Sequence, residues 1–313
     1  MLAVMLAKPG LGLNSAPVSS TSEVTPAENL DPRFWLADTL DLQAELNAQQ
    51  AGLSEWIQAV NRSNLEFLCL GEIHNPTFRQ FLAQEIFSQL DVDVLMLEAD
   101  PPQVEQFLAE VEAGNPSVGL FGSDIAAVIR AVQTRNPNVQ ILGVDETAEQ
   151  TAWKNLEEVH SERQRLSRDG FIAQNIRNQF RPGLRHVALF GGSHCALHDV
   201  GLGNSRPFFL HLAGVLTARE RMKSVLLVSA AQTNLFALTM QKVGLSDRVA
   251  VFPDARAIAP ATYNFRWDLK SFWDNYDVLI HFPGAWEGRS PSQEEKARSL
   301  NPLPSFAPDG SPA

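Results

Sequence analysis

The sequence lacks a surplus of basic residues. It has 25 lysine and arginine residues against 36 aspartate and glutamate residues, so its formal net charge is −11 and its isoelectric point is near 5.1. Nucleic acids and anionic membrane surfaces select basic proteins, and the charge therefore argues against both as partners. Long apolar runs are also missing, because no stretch approaches the roughly 20 residues of a membrane-spanning helix. We expect no membrane span and no nucleic-acid partner.

Cysteine is scarce, and Cys69 and Cys195 are the only two in the chain. Their number and spacing fit neither a zinc knuckle nor the disulfide framework of a small secreted domain. A disulfide between the two cysteines stays open at this point. The pattern favours two small buried thiols in a reducing compartment.

The N-terminus lacks the residue order of a secretory signal. An apolar run, residues 1–7, comes first and Lys8 follows it, whereas a signal peptide places its basic residues before the apolar run. The sequence therefore predicts a cytoplasmic protein. Export by a truncated or atypical signal is the alternative.

The remaining composition is that of a globular chain. Of the 313 residues, 44% are hydrophobic and 19% are charged, which is ample material for a core. Residues 1–30 and 288–313 are rich in serine, proline and alanine, and we predict that both segments are disordered. A single main domain is expected between them, over residues 31–287.

Short apolar runs recur along this domain, and amphipathic segments such as 78–90 and 101–114 separate them. The runs are continuous rather than alternating, as in strands that are covered on both faces. The alternation predicts an α/β fold with a mostly parallel central sheet and helices on both faces. The predicted strands are "FLCLGE" (67–72), "VLMLEAD" (94–100), "VQILGVDE" (139–146), "HVALFGG" (186–192), "SVLLVSA" (224–230) and "DVLIHFP" (277–283).

Ionisable residues follow several of these strands directly. Glu72 and His74 end the first run, Glu98 ends the second and His194 follows the fourth. Ligands of parallel α/β sheets bind outside the carboxyl ends of the strands. These four residues are therefore candidates for a single site.

Acids that stand before a predicted helix have a simpler explanation. Asp100 precedes two prolines, and Asp145 precedes the helical segment that starts near residue 147. A single aspartate at such a position is more often a helix N-cap than a catalytic group. We therefore predict caps at Asp100 and Asp145.

Four motifs together resemble the erythromycin-esterase/ChaN-like superfamily, which is related to the Tiki and TraB proteins. They are "LGEIHN" after the first strand, "VLMLEAD" on the second, "RDGFIAQNI" in a helix and "ALFGGSH" on a later strand. The superfamily has a Gly-Glu-x-His or Gly-Glu-x-x-His turn, a strand-end Glu, an Arg-Asp helix motif and a late strand that ends in Gly-x-x-His. The resemblance implies that Glu72, His74, Glu98 and His194 form the site, with Arg168 as a supporting cation.

The branches of this superfamily differ in activity. Esterase-type members are thought to activate a water that attacks a lactone carbonyl, Tiki-type members hold a divalent metal and cut peptides, and the ChaN branch binds haem. Only Ile73 separates Glu72 from His74, as in the ChaN and Tiki pattern. Gly191 stands where the esterases have the first histidine of the late-strand motif. The motifs thus indicate the superfamily rather than one branch.

These side chains predict water activation. Histidine can take a proton from water near neutral pH, and a carboxylate can fix its tautomer. We assign His74 as the base, Glu72 as its orienting partner, and Glu98 and His194 as groups that position the water and the leaving group. Arg168 would balance the clustered carboxylates or bind an oxyanion.

The same side chains allow two cofactor hypotheses. Glu72, His74, Glu98 and His194 form a nitrogen and oxygen set for a divalent metal ion. Alternatively, His194 and His198 are candidate haem ligands.

The function that we predict is hydrolysis of a small ester, lactone or amide, with possible metal assistance and a small-molecule substrate as the partner. The alternative is a haem- or metal-binding protein without turnover. A third hypothesis is a degenerate protein that neither catalyses a reaction nor binds a cofactor, and whose strand-end residues serve stability.

Overall fold

A computed structural model of the chain describes residues 39–114, 122–154, 167–197, 207–212, 214–229, 240–241, 244–255 and 275–283. The terminal segments that were predicted to be disordered, 1–30 and 288–313, lie outside these residues, and so does His198. The domain boundaries at residues 31 and 287 therefore stay predictions.

A seven-stranded sheet forms the centre of the protein, in the order β3-β2-β4-β1-β5-β7-β6. Every neighbouring pair is parallel except β6 and β7, which are antiparallel. The strands are β1 (Phe67–Glu72), β2 (Val94–Leu97), β3 (Gln140–Gly143), β4 (His186–Gly191), β5 (Met222–Ser229), β6 (Ala250–Phe252) and β7 (Val278–Phe282).

Helices alternate with the strands along the described chain. None of these helices is long and apolar enough to span a bilayer. They are α1 (Thr39–Gln49), α2 (Leu53–Arg62), α3 (Pro76–Phe81, continued by a π-helical segment over Leu82–Phe87), α4 (Pro101–Glu112), α5 (Gly122–Arg135), α6 (Ala148–Lys154), α7 (Arg168–Gln179) and α8 (Phe208–Leu212).

Both faces of the sheet are covered, which explains the continuous apolar runs. On β1, Phe67 and Cys69 point into a core that α1, α7 and α8 complete, whereas Leu68 and Leu70 point into a second core beneath α2, α3, α4 and α5. Successive side chains of a strand face opposite sides of a sheet, so a strand between two helical layers needs apolar residues at every position. The predicted α/β fold with helices on both faces is confirmed.

The six predicted strands are present, and β6 was missed. This strand has only three residues, at the edge of the sheet, and it pairs antiparallel with β7. So short a run carries no usable periodicity. The predicted cap at Asp100 is confirmed, because its side chain accepts a hydrogen bond from Gln103 N at 3.1 Å at the start of α4.

The prediction of two free thiols was wrong. Cys69 in β1 and Cys195, just after β4, form a disulfide with their Cα atoms 5.6 Å apart. The two residues are 126 positions apart in sequence, but β4 is the parallel neighbour of β1. The pairing of β1 with β4 brings the two cysteines together. The sequence around either cysteine contains no pattern that indicates this pairing.

Candidate functional site

The described structure brings all five predicted site residues into one cluster at the carboxyl edge of the sheet. Glu72 is the last residue of β1, and His74 follows it in the connection to α3. Glu98 comes directly after β2, and Arg168 is the first residue of α7. His194 lies in a 3-10 turn, Gly192–Cys195, that follows β4. Since β4 lies between β1 and β2, the three strand ends are adjacent.

His74 bridges two carboxylates. Its Nδ1 lies 3.3 Å from Glu72 Oε1, and its Nε2 lies 3.3 Å from Glu98 Oε2. The hydrogen bonds to Glu72 and then to Glu98 raise the pKa of His74 to about 9. The ring is therefore an imidazolium at neutral pH, and 52% of its side chain is exposed to the solvent side of the cluster.

Glu98 occupies the centre of the cluster. Burial pushes its pKa upward, but the hydrogen bond from His74, the electrostatic effect of His194 and the hydrogen bond from Gly191 N outweigh burial and hold the pKa at about 2. Gly191 N donates to Glu98 Oε2 at 2.7 Å. A Cβ at Gly191 would lie 3.2 Å from His74 Nε2, so a glycine at this position lets the strand end approach the imidazole and the carboxylate closely.

Arg168 links the ends of β2 and β3. Its Nη2 donates to Glu98 Oε1 at 2.8 Å and also to Asp145 Oδ2, while its Nε donates to Asp145 Oδ1 at 2.9 Å. The bonds to Asp145 are the main reason why the pKa of Arg168 is raised. Arg168 is thus a permanent cation whose planar fork orients two acids.

The predicted cap at Asp145 was wrong. Asp145 binds Arg168 instead, and helix α6 is capped by Thr147, whose Oγ1 accepts from Gln150 N at 3.2 Å. The Gln150 side chain in turn accepts from Thr147 N at 2.9 Å. This reciprocal pair is a capping box, and it frees Asp145 for the cluster.

His194 is held by an acid that the sequence prediction did not include. Its Nδ1 lies 2.7 Å from Asp169 Oδ1, and Asp169 is buried and also accepts a hydrogen bond from Phe208 N at 2.9 Å. The other ring nitrogen, Nε2, faces Glu98 Oε1 at 3.5 Å and Arg168 Nη1 at 3.4 Å. The ring therefore has one nitrogen anchored and one directed into the cluster.

A second arginine stabilises Glu72. Arg79 Nε donates to Glu72 Oε1 at 2.9 Å, and Arg79 Nη1 donates to Asp124 Oδ2 at 3.0 Å. Burial opposes the charge of Arg79, but the neighbouring Glu72 raises its pKa overall. Arg79 and Asp124 were both missed by sequence reasoning.

The signals for the missed residues differ. Asp169 stands next to Arg168 in the Arg-Asp motif, so the motif itself could have indicated it. Arg79 lies seven residues after Glu72, and Asp124 is 45 residues beyond Arg79. The contact between Arg79 and Asp124 requires the packing of α3 beside α5, and no local pattern marks it.

The cluster does not fit a bound metal ion. Among the described residues, no group of three or more histidine, cysteine, aspartate or glutamate side chains is placed to hold one. Arg79 already pairs with Glu72 Oε1, and Arg168 already pairs with Glu98 Oε1. Glu72 Oε2 is buried without a hydrogen-bond partner in the part of the chain that is described, but one carboxylate oxygen is fewer than the donor set that a protein metal site needs.

The contacts of His194 do not fit a haem ligand either. Its Nδ1 is held by Asp169, and its Nε2 faces a carboxylate and a guanidinium rather than an apolar cavity that could receive a porphyrin. His198, the second predicted haem ligand, lies outside the described residues.

The sequence matches no protein-family model and no curated protein. Its structure is similar to that of a succinoglycan biosynthesis protein, with a TM-score of 0.54 and 10% identity over 78% of this chain and 97% of the other. It is also similar to a mutant of the erythromycin esterase EreC in its open conformation, with a TM-score of 0.50 and 11% identity over 79% and 98% of the two chains.

The chain has the erythromycin-esterase fold. The resemblance that four motifs predicted is confirmed at this level, because nearly the whole of each matched structure is covered. Because the sequence identity is only 10–11%, the similarity shows the arrangement of helices and strands alone. The activity has to be inferred from the geometry of the cluster.

Proposed function

We propose that the protein is a hydrolase that cleaves a small ester, lactone or amide by direct attack of water. The observation that carries this proposal is the Asp169–His194 pair. Asp169 accepts from Nδ1 of the imidazole, and the lone pair that this tautomer leaves on Nε2 faces Arg168 Nη1 at 3.4 Å within a cluster of charged side chains. A buried acid that fixes the tautomer of a histidine is the arrangement by which hydrolases prepare a general base.

His194, rather than His74, is the base in this proposal. The pKa of His74 at about 9 leaves its ring protonated at neutral pH, so it has no lone pair with which to take a proton from water. His194 Nε2 takes the proton from the attacking water and returns it to the leaving oxygen or nitrogen. Asp169 stabilises the imidazolium that forms between these two steps.

The cationic groups stabilise the charge that develops on the substrate. Attack of water on the carbonyl carbon places a negative charge on the carbonyl oxygen. The imidazolium of His74 and the guanidinium of Arg168 both adjoin Glu98, and they supply positive charge at the position where His194 acts. Collapse of the intermediate expels the protonated leaving group and yields a carboxylic acid.

The cellular compartment of the protein is a separate proposal. The cytoplasmic location expected from the N-terminus stays a prediction, and the Cys69–Cys195 disulfide favours the alternative of export. Disulfides persist in oxidising compartments and are rare in a reducing cytosol.

A panel of neutral esters, lactones and amides tests the proposed activity on the purified chain, with and without a chelator. We expect turnover that the chelator leaves unchanged and that His194→Asn lowers by about 10²–10⁴-fold in kcat, the contribution typical of a general base. Arg135→Gln, on an exposed ion pair with Asp91, is the matched surface control. Equal turnover in wild-type and His194→Asn would refute the proposal, and a saturable Soret shift with haemin that His194→Asn abolishes would replace it with haem binding.

A further inference from the structure

The turn that carries His194 is packed directly onto the end of β1. At Gly71, a Cβ would lie 2.8 Å from Gly192 Cα and 3.1 Å from Val225 O. Real Cβ atoms essentially never approach backbone atoms that closely, so only a glycine at residue 71 permits this crossing. After β4, the chain therefore passes over the end of β1 towards β5, and His194 in this turn lies beside Glu98, Arg168 and Asp169.

Groups outside the turn hold its backbone in place. Tyr276, which is buried, donates from its hydroxyl to Gly192 O at 3.0 Å, and Ser224 Oγ donates to Cys195 O. Within the turn, Ala196 N approaches Ser193 O at 3.4 Å, which is a long hydrogen bond. Two hydrogen bonds from outside the turn therefore anchor the carbonyl groups of Gly192 and Cys195.

The strongest of these anchors is covalent. Cys195 directly follows His194, and Cys69 lies three residues before Glu72 on β1. Their disulfide joins two halves of the site that are 126 residues apart in sequence. Both cysteines are fully buried.

We propose that the Cys69–Cys195 disulfide positions His194 for its action in the candidate site. The hydrogen bond from Asp169 orients the ring of His194, whereas the disulfide fixes the backbone that carries the ring. Reacting groups must be held to within about half an ångström of their productive positions. A displacement of about 1 Å can lower a rate by about 10²-fold.

The test is the full-length variant Cys69→Ala/Cys195→Ala, compared with the wild-type protein after both have been shown to be folded by circular dichroism. Alkylation of the denatured, unreduced wild-type chain comes first, and we expect it to find no free thiol. The catalytic readout of the comparison rests on the proposed hydrolase function. We expect kcat to fall by about tenfold or more, while KM changes less because the other charged side chains of the cluster are kept.

A second readout does not require turnover. The imidazole protons of His194, assigned by their loss in His194→Asn, report the position of the ring by nuclear magnetic resonance. We expect their chemical shifts to differ between the wild-type protein and the double alanine variant. This readout separates the two proposals: a wild-type chain without esterase activity would refute the hydrolase function and leave the positioning role to be judged by the spectrum.

Val251→Ala is the matched control. Val251 is fully buried in the core on the opposite face of the sheet, in edge strand β6, so its truncation lowers stability without contact with the turn. We expect the control to keep the wild-type His194 spectrum and kcat. Two free thiols in the wild-type protein, or a double alanine variant with unchanged His194 resonances and kcat, would overturn the proposal.

Discussion

The carboxyl edge and the amino edge of the sheet, where the parallel strands end and begin, both gather acids, arginines and histidine, yet the side chains of the two edges have different partners. The carboxyl edge holds the cluster of Glu72, His74, Glu98, Arg168 and His194. At the opposite edge, Glu66, Arg185 and Arg221 precede β1, β4 and β5, which are neighbours in the sheet. A cavity of about 300 Å³ is lined by these three residues and others.

At this amino edge, Glu66 and Arg185 form hydrogen bonds with backbone groups and with a hydroxyl. Glu66 accepts hydrogen bonds from the Thr217 hydroxyl and from Gly183 N, and the bond from Thr217 is the main reason why the pKa of Glu66 is lowered. Arg185 donates to Val60 O at 2.9 Å and to Ser63 O at 3.1 Å. These carbonyls lie at the end of α2, where a helix leaves acceptors unsatisfied.

The histidines show the same difference. At the amino edge, His186 Nε2 accepts from Arg181 N at 3.2 Å, and its Nδ1 contacts Leu184 O at 3.0 Å. Burial lowers the pKa of His186, so the ring is neutral and both of its nitrogens are used by the backbone. The Nε2 of His194 instead faces charged side chains. The two histidines therefore differ in their partners: both nitrogens of His186 contact the backbone, whereas one nitrogen of His194 faces charged side chains.

Of the substitutions at the two edges, Asp169→Asn should lower kcat the most. The amide would keep the shape of the side chain but could hold the wrong tautomer of His194, with the proton on Nε2 instead of the lone pair. We expect kcat for the best ester of the panel to fall by about 10²-fold or more. The control at the amino edge is Glu66→Gln, for which kcat should remain that of the wild type. Unchanged kcat in Asp169→Asn would contradict the assignment of His194 as the base.

The pH dependence of stability separates the two edges in a second way. The pKa of His74 rises from an ordinary 6.5 to about 9, so its contribution to stability is fully present below about pH 6.5 and is lost as the pH rises through about 9. The pKa of His186 is lowered, so its contribution is lost as the pH falls through the lowered value.

The measurement is the urea midpoint of unfolding over a pH series for the wild-type protein, His74→Gln and His186→Gln. We expect His74→Gln to flatten the alkaline decline and His186→Gln to flatten the acidic one. A wild-type alkaline decline that His74→Gln leaves intact would show that His74 has an ordinary pKa.

The smallest effect on activity is expected at the amino edge. Glu66→Gln weakens the bonds to Thr217, Gly183 and Arg221, so the free energy of unfolding should fall by about 1–3 kcal/mol while kcat/KM stays unchanged. Arg221→Gln removes only a half-exposed partner and should cost less than about 1 kcal/mol. Urea unfolding and the ester assay measure both quantities, and a parallel loss of activity in Glu66→Gln would mean that the amino edge serves the reaction.

Sequence reasoning placed the strands and the five site residues better than it assigned their partners. Glu72, Glu98 and His194 each follow an apolar run, and the parallel arrangement of those runs brings their ends together. The assignment of Asp145 as a cap was wrong because Thr147 and Gln150 form the cap, leaving Asp145 to bind Arg168. Both alternatives are compatible with an aspartate before a helix.

The sequence alone determined the α/β architecture, because continuous apolar strands and amphipathic helices are local patterns of the chain. Tertiary structure decided which groups meet: Asp169 with His194, 25 residues apart, Arg79 with Asp124, 45 residues apart, and Cys69 with Cys195, 126 residues apart. Such pairs leave no periodic trace in the sequence, since their proximity arises only when β4 is inserted between β1 and β2 and the helices pack around the sheet.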